Sequence, residues 1–302
     1  MIMNKQRHAI PLLCGIGGNI IWGFSYLFTR IAQQSAPPIV QISLRFALAF
    51  LLMNILLLTG AQKLHLWGKK LRSLLTMAAL EPIYFFCESY GIYYTNSTFA
   101  GVALAIVPIF AMAIAFFLIK EKPTRGQLLF SILPIAGVIM LTLAGSAMGV
   151  IQPVGVLLVF GACMCAAVFR VVNRDSSASF SSFERSYAII GSSCIVFNTV
   201  ALISVKGDFS VYAAALTTPS FIWSTVVLSV FCSVTANLMV NYSAGFLSVA
   251  TSSNLGSIIT VCAMFAGVIF LQEPMNTMSL CGSVLVVIGI ALVAKEERKK
   301  LN

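Results

Sequence analysis

Residues 111–125 read AMAIAFFLIKEKPTR, and residues 263–277 read AMFAGVIFLQEPMNT. Each is an apolar run closing on a polar turn, and the second lies 152 residues after the first. In this register Glu121 meets Glu273, and Thr124 meets Asn276. Both of the latter suit a helix N-cap. Ala111 and Ala115 meet Ala263 and Gly267, a small-xxx-small pair in each copy that allows close helix approach, as between the fourth and ninth spans. Further out, Gly137 meets Gly289 and Tyr90 meets Tyr242, while Arg45 meets Arg185 at a slightly different shift. Taken together, these matches indicate an internal duplication.

The sequence around these anchors is built for lipid. Of the 302 residues, 59% are hydrophobic and 9% charged, and the mean hydropathy is +0.96. Soluble globular proteins carry about 25% charged residues. This composition excludes a soluble enzyme, a disordered chain and a nucleic-acid module. A spanning helix needs about 20 apolar residues. Ten candidates are expected, over roughly 10–30, 39–60, 73–95, 99–119, 128–145, 153–172, 185–205, 221–242, 247–270 and 278–294. The expected fold class is therefore all-α, a polytopic membrane protein of ten transmembrane helices. The first run is too long for a signal peptide and lacks a small-residue cleavage site, so it reads as a retained helix. Pro37-Pro38, Pro123, Pro153 and Pro219 sit at helix entrances, where a missing N–H costs little. Thr124 and Gln127 have the spacing of a capping box.

The net charge of +10 concerns orientation, not nucleic acid. With the N-terminus inside, 16 of the 19 Lys and Arg residues fall on inner segments and only Arg30 and Lys206 on outer loops. Both termini are then cytoplasmic, in the cell membrane. Five spans per copy is an odd number, so the second copy enters the membrane inverted. The charges agree: Lys120, Lys122 and Arg125 become Gln272, Pro274 and Thr277. The expected division is a first five-helix repeat over 1–147 and a second, inverted one over 148–302. Inverted repeats mark many secondary transporters, with substrate near the midplane between them.

Helix 3 carries the most informative polar residues. Glu81 lies nine residues beyond Arg72, roughly 14 Å along a helix. Glu88 follows seven residues later, on the same face within about 20°. A charged group at the bilayer centre costs about 2.5–3.5 kcal/mol on insertion scales and marks a substrate or proton path. Pro82 is placed to kink the helix beside Glu81. Arg45 is expected at the depth of Glu88, so a Glu88–Arg45 pair would hold Glu88 ionised and leave the proton to Glu81. The other reading makes Arg45 a fold anchor. Asn19, Trp22 and Tyr26 share one face of helix 1 and suit a cavity wall. Ser233, Asn237 and Asn241 form a stripe on helix 8, and Ser248 and Ser252 another on helix 9. These stripes are either substrate contacts or interhelical hydrogen bonds. Tyr90 completes the candidate site. Glu121 and Glu273 are read as contacts to a neighbouring helix end, and Lys206, Asp208 and the 295–300 charge run as solvated.

The chain resembles the EamA family of the drug/metabolite transporter superfamily. The resemblance rests on Ile21-Trp22-Gly23-Phe24-Ser25, Leu44-Arg45-Phe46, Lys120-Glu121-Lys122-Pro123, Gln272-Glu273-Pro274 and the glycines Gly137, Gly282 and Gly289. It implies two inverted five-helix repeats around a central cavity, and proton-coupled or facilitated export of small metabolites. The second half departs from the pattern, with Ala166 or Ala167 at the Trp22 position.

The expected activity is secondary transport of a small cationic, zwitterionic or neutral metabolite, such as an amino acid or amine. The alternative is an uncoupled channel-like facilitator. With no Lys in any span and no buried Lys or Arg expected in the second half, the reading disfavours an anionic substrate. No His or Asp is expected in a span, which leaves an intramembrane enzyme without a base or metal set. No Walker motif is present, so ATP does not drive the step. The eight cysteines lie in apolar stretches and read as small packing residues. No cofactor or metal is expected.

Overall fold

Prolines and hydroxyl caps open the helices of this chain. The computed structural model describes residues 2–94, 104, 106–144, 152–206, 208–271 and 277–301. Among these every regular element is helical. The first three are α1 (Ile2–Gln33), α2 (Pro38–Leu58) and α3 (Arg72–Tyr94). Then come α4 (Val107–Leu118), α5 (Arg125–Phe130), α6 (Ile132–Ala144), α7 (Pro153–Ser176) and α8 (Ser182–Val205). After α9 (Ser210–Leu216), α10 (Pro219–Phe246) runs through a π segment at Leu228–Thr235. The chain ends with α11 (Val249–Leu255), α12 (Ser257–Leu271) and α13 (Thr277–Leu301).

Pro38, Pro153 and Pro219 stand in the first turns of α2, α7 and α10, where no N–H is needed. Thr124 and Gln127 form the expected capping box ahead of α5. Ser181 and Glu184 form another ahead of α8. Pro82 lies inside α3, which continues on both sides of it.

Among the described residues seven helices are long and apolar enough to cross a membrane: Ala9–Gln33, Pro38–Leu58, Pro153–Ser176, Ser182–Val205, Pro219–Phe246, Val249–Phe270 and Thr277–Lys299. Val107–Leu118 and Arg125–Met140 are shorter apolar helices. α3 has the length, but Glu81, Pro82 and Glu88 lower its apolarity. Against the ten expected spans, length and apolarity thus support seven. Most of the expected entry to the fourth span, residues 99–103 and 105, lies outside the described residues.

The packing is reciprocal about the middle of the chain. α3 lies along α7 and α8, and α1 lies along α10 and α12. α4 packs on α7, α2 on α8, and α6 on α13. Ala111 and Ala115 are fully enclosed against Val159, Cys163 and Ala167 of α7 and Val249 of α11. The small residues of α4 therefore bring it onto α7 and onto α11, the start of the expected ninth span. The α12 partner of that pair faces α1: a side chain at Gly23 would meet Cys262 and the backbone of Ile259 and Ala263.

Candidate functional site

A cavity of about 180 Å³ opens among α3, α4, α7, α11 and α12. Its polar lining comes from Tyr84, Glu88, Arg170, Ser253, Ser257 and Thr260. The Tyr84 hydroxyl donates to Glu88 Oε1 at 2.6 Å, across one turn of α3. Facing them, Arg170 Nη1 donates to the Ser252 carbonyl at 3.2 Å. Glu81 lies two turns before Glu88, with Arg45, Arg170 and Glu88 all within electrostatic reach.

The expected Glu88–Arg45 pair is corrected. Arg45 Nε donates to Ser233 Oγ at 2.7 Å, and Ser229 Oγ donates to the Arg45 carbonyl at 2.9 Å. Its guanidinium also lies 5.6 Å from the centre of the Phe46 ring. Depth along two helices fixes only one coordinate. Rotation about the helix axis turns Arg45 toward α10, while Glu88 faces α7 and the cavity. Glu81 is the carboxylate within electrostatic range of Arg45.

Trp22 meets the same stretch of α10, donating Nε1–H to the Cys232 carbonyl at 2.9 Å. Cys232 lies within the π segment. Shifted by 152 residues, that segment falls on residues 76–83, which hold Glu81 and Pro82. Asn19 and Asn237 donate to carbonyls one turn back on their own helices, Gly15 at 2.6 Å and Ser233 at 2.9 Å. Tyr90 turns out of the cavity; it is 48% exposed and tilts against Phe86, so its placement with the site residues is corrected. The side chain of Tyr26 lies outside the described residues. Of the expected site residues, the cavity wall therefore gathers Glu88, with the Ser252 carbonyl behind it through Arg170.

Asn241 belongs to a different knot. Arg185 is 2% exposed and donates to the Asn173 carbonyl at 2.8 Å, Asn173 Oδ1 at 2.5 Å and the Asn241 carbonyl at 2.7 Å. Asn173 Nδ2 donates to Asn241 Oδ1 at 2.8 Å. These bonds tie α7, α8 and α10 together. Arg185, buried, and Arg170, half-buried, overturn the expectation of no buried base in the second half. Both stood at the ends of expected spans, 153–172 and 185–205; α7 runs to Ser176 and α8 starts at Ser182, which sets them inside the helices. The argument against an anionic group on the substrate falls with that expectation.

The 295–300 charge run is not uniformly solvated. Glu297 is 7% exposed and accepts from the Ser248 backbone N–H at 2.9 Å, Gln127 Nε2 at 2.7 Å and the Thr251 hydroxyl at 2.8 Å. It also bonds the Ser248 hydroxyl. Glu121 Oε1 accepts from the Val249 N–H at 2.6 Å. Two carboxylates thus sit at the start of α11, where unpaired N–H groups favour anions. Glu121 fulfils its expected contact with a helix end, and Glu273 lies outside the described residues. Among the described residues no group of three or more His, Cys, Asp or Glu converges on a metal site.

The family model of the EamA-like transporter family matches the chain twice, over residues 9–143 and 153–295. A Bacillus subtilis protein named uncharacterized transporter YcxC is 29% identical over 292 residues, spanning 95% of this chain and 94% of its own. An Archaeoglobus fulgidus protein named only as an uncharacterized transporter is 23% identical over 91% of this chain and 95% of its own. An Escherichia coli protein named uncharacterized inner membrane transporter YedA is 29% identical over 51% of this chain and 50% of its own. One solved crystal structure, 16% identical, superposes with a TM-score of 0.80 over 98% of this chain and 100% of its own. That likeness establishes a shared fold.

Proposed function

The chain belongs to the EamA-like transporter family, and on that premise we propose that it is a proton-coupled secondary exporter of a small metabolite. The observation that carries this reading is Glu88, held by Tyr84 on the wall of a cavity deep in α3. A carboxylate in that position exchanges a proton with the cavity or grips an ammonium group. A cavity of about 180 Å³ is smaller than the roughly 300–1,000 Å³ typical of drug-sized ligands, which favours an amino acid or amine. Lipid surrounds the multi-pass helical body.

The mechanism we infer is alternating access by two inverted five-helix repeats, residues 1–147 and 148–302. Its support is the double family match, the reciprocal packing and the paired helix irregularities. Pro82 in the first half and the π segment in the second occupy equivalent stretches of α3 and α10. Both weaken the regular ladder where two bodies must rock about a central site. The Lys and Arg distribution supports a cell-membrane orientation with both termini in the cytoplasm.

The test is exchange in proteoliposomes loaded with pooled unlabelled amino acids and amines and offered labelled ones outside. The reading predicts exchange that falls at least tenfold in the Glu81→Gln/Glu88→Gln double variant. Wild-type rates in that variant would overturn it.

A further inference from the structure

We infer that the cavity contains an oxyanion subsite, formed by Arg170 with Ser253, so that the transported molecule carries a carboxylate. The inference rests on the reading of this cavity as the transport site, and it narrows the substrate class.

Arg170 enters the cavity from α7 and spends one N–H on the Ser252 carbonyl. A guanidinium has five N–H donors in a fixed fork. Among the described residues no carboxylate lies within ion-pair distance of it; the Tyr84 phenol and, after it, Glu81 are the acidic groups within electrostatic reach. A cation in so apolar a setting favours an anionic partner.

Ser253 supplies an independent observation. It is 3% exposed, it lines the same cavity, and its hydroxyl is buried without a hydrogen-bond partner. An unsatisfied buried hydroxyl costs about 1–3 kcal/mol, which a ligand oxygen recovers. Ser257 and Thr260 follow at i+4 and i+7 on the lining and extend the hydroxyl face.

The chain is shaped to seat the guanidinium here. Between α11 and α12 the helix tightens at Gly256, whose N–H bonds the Ser253 carbonyl at 3.1 Å. A side chain at Gly256 would meet Arg170 Nη2 at 2.7 Å and the Ser253 carbonyl at 3.1 Å. Glycine therefore leaves the space that the guanidinium fills. Glu88 faces the subsite from α3 as an acceptor for a positive group. A ligand with a carboxylate toward Arg170 and an ammonium toward Glu88 satisfies both walls, which an amine alone does not.

The test is thermal stabilisation of the full chain purified in detergent. The probes are the proteinogenic α-amino acids, each beside its decarboxylated amine and its primary amide, with inorganic phosphate as a separate arm. The expected result is that at least one acid binds about tenfold or more tightly than its amine and its amide. Arg170→Gln is expected to abolish that preference, and Arg170→Lys and Ser253→Ala to reduce it severalfold. If Arg170→Gln fails to fold, the lysine and alanine variants carry the test. Amines and amides binding as well as the acids would overturn the subsite and leave the cavity reading standing. Phosphate binding without any acid binding would overturn the carboxylate assignment. Failure of every probe would overturn the subsite together with the cavity reading.

Discussion

Gly137 and Gly289 make the same contact in opposite directions across the α6–α13 interface. A side chain at Gly137 would strike Val286, and one at Gly289 would strike Pro134. Pro134 and Val286 are themselves separated by the 152-residue repeat. The duplication seen in the sequence thus reappears as a self-complementary contact. At Gly137 the nearest obstacle is the Gly282 carbonyl at 2.5 Å, with the Val286 backbone nitrogen at 2.9 Å. Backbone atoms of a helix do not step aside cheaply, so Gly137→Ala is expected to destabilise by about 1–3 kcal/mol. Gly289→Ala is expected to do the same, with the double variant departing from additivity. Thermal melting in detergent measures both.

The Tyr84–Glu88 bond places a hydroxyl on a cavity-facing carboxylate. Removing a hydrogen bond to a charged group costs about 1.5–3 kcal/mol. Tyr84→Phe, which keeps the ring, is expected to slow exchange in proteoliposomes by about tenfold or more, with a fall in melting temperature of a few degrees. Unaltered exchange would show that the hydroxyl only packs.

Glu297 ties the last helix to the start of α11. Glu297→Ala strands the Ser248 N–H in a buried setting and leaves the Gln127 amide and the Thr251 hydroxyl only their contacts with the Ser248 hydroxyl. A loss of about 1.5–3 kcal/mol is expected, the cost of removing hydrogen bonds to a charged group. Ser248→Ala removes an N-cap hydroxyl and is expected to cost about 1 kcal/mol. The ordering of the two melting temperatures is the check.

Glu184 pins the loop between α2 and α3. Its carboxylate accepts from the His65 N–H at 2.7 Å and from Lys69 Nζ at 3.0 Å, and Lys69 also lies over the Phe180 ring at 5.0 Å. Glu184→Ala also removes the capping box of α8, so protease cleavage within residues 59–71 is expected to rise markedly. Lys69→Ala is expected to raise it less, because the lysine is partly solvated and such pairs contribute about 1 kcal/mol or less.

What the sequence made legible was governed by one-dimensional signals. Apolar runs, the Thr124–Gln127 box, the entry prolines and the repeat are all patterns along the chain; the box and the prolines stand at helix starts, and seven of the ten expected runs are helices of spanning length. Helix lengths were less legible. α7 extends to Ser176 and α8 starts at Ser182, which takes Arg170 and Arg185 from the ends of the expected spans to positions inside the helices. Partners were least legible. Arg45 and Glu88 share a depth, but rotation about the helix axes sends them to different neighbours. The burial of Glu297 was hidden because its run of charged neighbours reads as solvated, and only the fold brings Ser248, Thr251 and Gln127 around it. The open Ser253 hydroxyl had no sequence signal beyond its place in the Ser252-Ser253-Asn254 run.

The most direct measurement is proton movement during transport. Proteoliposomes holding wild-type protein and an internal pH dye would be given an imposed proton gradient and then pooled amino acids and amines. A substrate-dependent pH change is expected in the wild type and is lost in Glu88→Gln. Substrate flux with no accompanying pH change in the wild type would contradict it, and would assign the cavity to an uncoupled facilitator.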